Sequence, residues 1–105
     1  MAATLNAAQT ITAEVTSWPG VSAGPGRRGE FGFRLGRREL GHLHGDRVFH
    51  AAFPTAVWHE LHDAGRIDHH PVFPDTPGYG ARPITSEVDV GDVIAMLSPN
   101  YVWLL

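Results

Sequence analysis

Between Glu30 and Phe53 the chain leaves its backbone little choice, because three short runs are separated by glycine-bearing turns. Phe31, Phe33 and Leu35 alternate with Gly32 and Arg34, a period of two that fits a half-buried strand and not a helix. Gly36-Arg37-Arg38 supplies a turn, and Glu39 to His44 makes a second strand. Gly45-Asp46 is a weaker turn signal before a third strand over Arg47 to Phe53. Three consecutive strands with links this short pair as an antiparallel meander.

Helical patterns flank the meander. Leu5, Ala8, Ile11, Val15 and Trp18 recur at three- and four-residue steps and line one helix face, which Pro19-Gly20 ends. Val21 to Gly29, rich in glycine and holding Pro25, reads as a flexible loop. No phosphate-binding glycine spacing occurs there. Pro54 suits the first residue of a second helix, which Gly65 stops. Val57, Leu61 and Ala64 form its core face, with Trp58 on the shoulder. Pro71-Val72-Phe73 and Tyr79 to Ile84 read as short strands around a Pro74–Gly78 turn. Ser86-Glu87-Val88-Asp89 opens the last helix as a capping box. Val90, Val93, Ile94 and Leu97 bury that helix, and Ser98-Pro99 is expected to break it. The order α-β-β-β-α-β-β-α predicts an α+β domain. It has an antiparallel sheet of about five strands, with N-terminal, middle and C-terminal helices packed on one face. At 105 residues one domain, 1–105, is expected.

Composition removes several function classes. Without cysteine there are no disulfides and no thiolate metal site, and without lysine there is no Schiff base. A net charge of -3 lacks the positive field of a general nucleic-acid binder. No apolar run reaches the ~20 residues of a membrane span, and the N-terminus has no signal-peptide pattern. The expected setting is cytoplasmic, with neither nucleic acid nor membrane as partner. The apolar end, Tyr101 to Leu105, either packs onto the sheet or supports a homodimer or docking contact.

All seven histidines fall between His42 and His70. His42 and His44, two apart on a strand, project from one face. Imidazoles so placed seat zinc, iron, copper or nickel, or contact an anionic substrate; the plain alternative is a solvated sheet surface. His69 or His70 could supply a third ligand from a neighbouring strand. His59-Glu60-Leu61-His62 fails the zinc-protease spacing, since position 63 is Asp63, and reads as a polar helix face. His50 reads as a hydrogen-bonded interior or edge residue. Glu39 faces away from His42 in a regular strand, and only a bulge would bring its carboxylate to a histidine ring. Arg34 and Arg82, each the sole charge of an apolar strand, either clamp a carboxylate or enolate or form surface ion pairs. Arg27, Arg28, Arg37 and Arg38 read as a solvated hairpin.

The run from Phe33 to Asp46, with Glu39-Leu40-Gly41-His42-Leu43-His44 at its centre, resembles the signature of the luciferase-domain family, relatives of the fungal luciferases. Gly65, His70-Pro71 and Arg82 continue the likeness, which covers about Trp18 to Leu97. The resemblance implies oxidation of a small metabolite by dioxygen without a flavin, as fungal luciferases oxidise a hydroxylated pyrone. Light emission is not carried over. Where relatives tend to have Gly-Trp, this chain has Pro77-Gly78-Tyr79, which makes Tyr79 a candidate pocket aromatic.

Two expectations follow. In the first, His42, His44, His70 and Arg82 act on an aromatic or enolic metabolite, with Glu39, Arg34 and Tyr79 binding it. The three histidines then serve either as ligands to a divalent metal or as bases, and the cofactor stays unassigned. In the second, the chain is a non-catalytic metal- or ligand-binding module.

Overall fold

A computed structural model describes residues 6–71 and 78–105 of the chain. Its elements run α1 (Ala7–Val15), β1 (Val21–Pro25), β2 (Phe31–Leu35), β3 (Arg38–His44) and β4 (Val48–Ala52). α2 (Thr55–Asp63), β5 (Asp68–His69), β6 (Tyr79–Pro83) and α3 (Glu87–Leu104) follow. The strands form one antiparallel sheet in the order β1-β2-β3-β4-β6-β5. The meander of the sequence is therefore its centre. No helix among the described residues is long and apolar enough to cross a membrane.

Residues directly opposed across strands share a face, so the register assigns every side chain to one side of the sheet. Leu43 opposes Phe31 and Phe49, Phe33 opposes Gly41, and Ala51 opposes Gly80. This side carries the helices. Phe33, Leu43 and Phe49 are fully buried there with Ile11 and Val15 of α1 and Val93 and Leu97 of α3. Each such burial stabilises by roughly 1.5–3 kcal/mol. α2 closes the same side: the Trp58 indole donates to the Tyr79 carbonyl at 2.8 Å. A Cβ on Gly80 would stand 2.5 Å from Ile67 and 3.1 Å from that indole nitrogen, so the close fit needs glycine.

Three readings of the sequence need correction. Val21 to Pro25 is an edge strand, not a loop. Val21 opposes Leu35 and Ala23 opposes Phe33, so their apolar groups pack against β2 even though glycine and proline dilute the pattern. Pro25 is tolerated because it ends an edge strand. Second, Trp58 is the buried residue of α2, while Ala64 is exposed and Val57 and Leu61 are half-buried. Third, α3 continues through Pro99 to Leu104. An interior proline loses a helix bond and crowds the preceding turn, but contacts on both sides hold this one. Met96 and Leu97 are buried before it. Beyond it, Asn100 bonds β3 and β4, and the Tyr101 hydroxyl donates to the Pro19 carbonyl at 2.7 Å. Val102, Trp103 and Leu105 are exposed. α1 ends at Val15, before the Pro19-Gly20 stop. Leu5 and most of the expected Pro71–Phe73 strand and Pro74–Gly78 turn lie outside the described residues.

Candidate functional site

The other side of the sheet carries four of the seven histidines. A bulge in β3 sets their surroundings: Phe33 opposes Gly41 and Arg34 opposes Glu39, so Leu40 is the extra residue. The slip keeps Leu40 in the core and turns Glu39 to the face of His42. The Glu39 carboxylate lies 3.0 Å from His42 Nδ1. A carboxylate only accepts, so Nδ1 carries the hydrogen and the lone pair of the neutral ring sits on Nε2.

His50 joins His42 and His44 because the three-residue turn at Gly45, whose φ of 58° favours glycine, sets the register of β4. His44 then opposes Val48, and His42 opposes His50. Ring centroids are 5.0 Å apart for His42 and His44, 5.3 Å for His42 and His50, and 4.6 Å for His44 and His50. One nitrogen from each of these three rings lies within 4.8 Å of the others, a set that could hold a metal ion. His70, just past β5, brings its ring to 4.4 Å from that of His50. The four imidazoles line an open cleft of about 970 Å³ that Arg34, Glu39 and Tyr79 also line.

The electrostatics keep the inner rings neutral. Burial, and then the neighbouring His70, His44 and His42, push the His50 pKa down from 6.5 to about 4. Burial, and then His42 and His44, also lower that of His70. Neutral imidazole is the form that binds metal or takes a proton.

Six of the seven expected site residues thus meet: His42, His44, His70, Glu39, Arg34 and Tyr79. Arg82 does not. It opposes Phe49 and so belongs to the helix side. Its guanidinium bonds Asp89 and, at 2.9 Å, Asp92, both on α3, and the Arg66 carbonyl at 2.8 Å. Burial lowers the Arg82 pKa, but the bonds to Asp89 and Asp92 outweigh this and raise it. The Arg82 hydrogen bond, followed by two from Thr85, holds the Asp89 carboxyl well below its ordinary range.

His50 is the residue that the sequence reading passed over. Its signal was the short turn: pairing His44 with Val48 puts His50 opposite His42. The other three histidines gather round Trp58, whose ring stacks on His62 at 4.8 Å and lies 5.2 Å from His59 and from His69. Strand alternation thus separates His69 from His70.

Neither a curated protein nor a solved structure matches the chain. A family model described as Luciferase domain matches residues 37–99. That span holds the bulge, all four cleft histidines and more than half of the sequence, and the chain belongs to the luciferase-domain family.

Proposed function

We propose that the chain is an oxygenase-like oxidoreductase that binds an aromatic or enolic small molecule in the histidine cleft and oxidises it with dioxygen. The observation that carries this reading is the convergence of four imidazoles, one backed by a carboxylate, over one cleft of a luciferase-domain chain. The lone pair on His42 Nε2 accepts the enol proton, and Glu39 stabilises the imidazolium that forms. The enolate carbon then supplies an electron pair to dioxygen, a carbon–oxygen bond forms, and the proton returns to the reduced oxygen.

The spacing of the His42, His44 and His50 nitrogens favours a second use of the same residues. Three neutral imidazoles suit a divalent ion such as zinc, iron, copper or nickel, and Glu39 would orient the His42 ligand through its other nitrogen. A bound divalent ion would acidify the enol and hold its oxygen. Both uses need the cleft histidines.

Oxygen uptake by the purified protein over a panel of phenols and hydroxypyrones tests the proposal. Replacing His42 and His44 together by alanine is expected to lower uptake by at least about a hundredfold, the scale of one positioned acid–base group. Undiminished uptake in that double variant would reject the reading. Turnover that stops on chelation and returns with one divalent ion assigns the imidazoles as ligands; turnover by metal-free protein assigns them as bases. Ligand binding without uptake by the unaltered protein leaves a binding module instead.

A further inference from the structure

The cleft lining also holds three arginines. The β1–β2 turn brings Arg27 and Arg28 to its rim, and Arg34 reaches it from β2. All three are exposed, and none forms an ion pair among the described residues. The two acids that line the cleft are engaged elsewhere. Glu30 accepts from the Arg28 backbone N–H at 3.1 Å, which fixes the turn, and Glu39 is held by His42. In a chain of net charge -3, three guanidiniums against two carboxylates leave this lining with one surplus positive charge when its histidines are neutral. Arg27, Arg28 and Arg34 also precede residues 37–99, so the rim rests on this chain's own geometry and not on the family match.

We propose that Arg27, Arg28 and Arg34 bind an ionised carboxylate of the substrate while its aromatic or enolic part sits against the histidines. Planar guanidinium forks match a carboxylate by paired hydrogen bonds. One surplus charge suits a monoanion. A phosphate dianion would face Glu30 and Glu39 with a charge the rim does not balance. With the acid held by the arginines, the enolic end is left to reach His42. This assignment rests on the oxygenase reading for what the ligand is, but its test needs no turnover.

The probes are 4-hydroxybenzoate, its neutral amide 4-hydroxybenzamide, and 4-hydroxyphenyl phosphate, with binding measured by calorimetry on the full chain. The acid is expected to bind at least ten times more tightly than the amide and more tightly than the phosphate. Replacing Arg27, Arg28 and Arg34 by glutamine should bring acid and amide within about twofold of each other, with amide affinity unchanged. Arg37→Gln, outside the cleft, should keep the full preference, and circular dichroism confirms folding of each variant. Equal affinity for acid and amide, tighter binding of the phosphate, a preference that survives the triple substitution, or no binding at all overturns the proposal. Loss of the preference with oxygen uptake intact removes the rim alone. A preserved preference without uptake leaves the rim and removes the oxygenase.

Discussion

Glu39 and His42 lie three residues apart, a spacing that a regular strand places on opposite faces. The pair exists because Leu40 is inserted between them in the ladder. Glu39→Gln keeps the shape but replaces a charged acceptor by a neutral amide. Oxygen uptake is then expected to fall about 10–100-fold, the usual cost of losing the partner that orients a functional histidine. An unchanged rate would show that His42 needs no such support. His50 provides a prediction of a different kind. In the metal-free protein its pKa of about 4 lies below the unfolded value near 6.5, so the unfolded chain binds the proton first as pH falls. The His50 contribution to stability is therefore expected to be fully present above pH 6.5 and to be lost between 6.5 and 4, by up to about 3 kcal/mol. Urea titrations at pH 7.5 and 4.5 measure it. His50→Gln should flatten the dependence across that window; an equally steep loss in the variant would assign the effect to other groups.

Between elements, the decisive contact is one side chain at the end of α3. The β3–β4 ladder stops at His42 and His50; continued in the same register, Gly41 would face Ala51 and Leu40 would face Ala52. Instead the Asn100 amide donates to the Leu40 and Ala52 carbonyls, at 3.0 Å each, from a position only 3% exposed. α3 thereby satisfies the carbonyl that the bulge frees. Asn100→Ala leaves two shielded acceptors unpaired and should cost about 2–3 kcal/mol in urea unfolding, with a smaller Glu39–His42 effect on uptake than in the parent. A midpoint within experimental error of the parent would mean that the bulge holds itself. The sequence shows the bulge only as a condition on Glu39, and it hides the tie altogether. Pro99 signals a helix end, and nothing local records that Asn100 and Tyr101 are anchored some 60 and 82 positions away. β1 is hidden for a similar reason: an edge strand with serine, glycine and proline at three of its five positions takes its order from the Phe33 and Leu35 side chains opposite it. The central meander was legible because its period and its turns agree.

On the scale of the whole molecule the sheet is a plate with two different sides, and its register decides which chemistry each residue can enter. His69 and His70 are neighbours in sequence, yet one faces Trp58 and the other His50. The seven histidines, one cluster in the sequence, become two groups separated by the plate. The candidate site was legible in part, because His42, His44 and Glu39 are local to one strand. Assigning His50 and Arg82 needed the pairing of β4 with β3 and β6. Arg82, opposed to Phe49, fastens β6 to α3 through Asp89 and Asp92 on the helix side. Arg82→Met keeps much of the apolar stem but leaves Asp92 without its cationic partner and Asp89 with only its hydrogen bonds from Thr85 and Ser86. A loss of about 2 kcal/mol in unfolding free energy is expected, less than for a fully buried pair because Asp92 remains partly exposed. Since the plate separates this ion pair from the cleft, uptake per folded molecule should stay within about twofold of the parent. The reverse outcome, normal stability with uptake reduced as severely as in the His42 and His44 double variant, would bring Arg82 into the chemistry and show that the two sides are not independent.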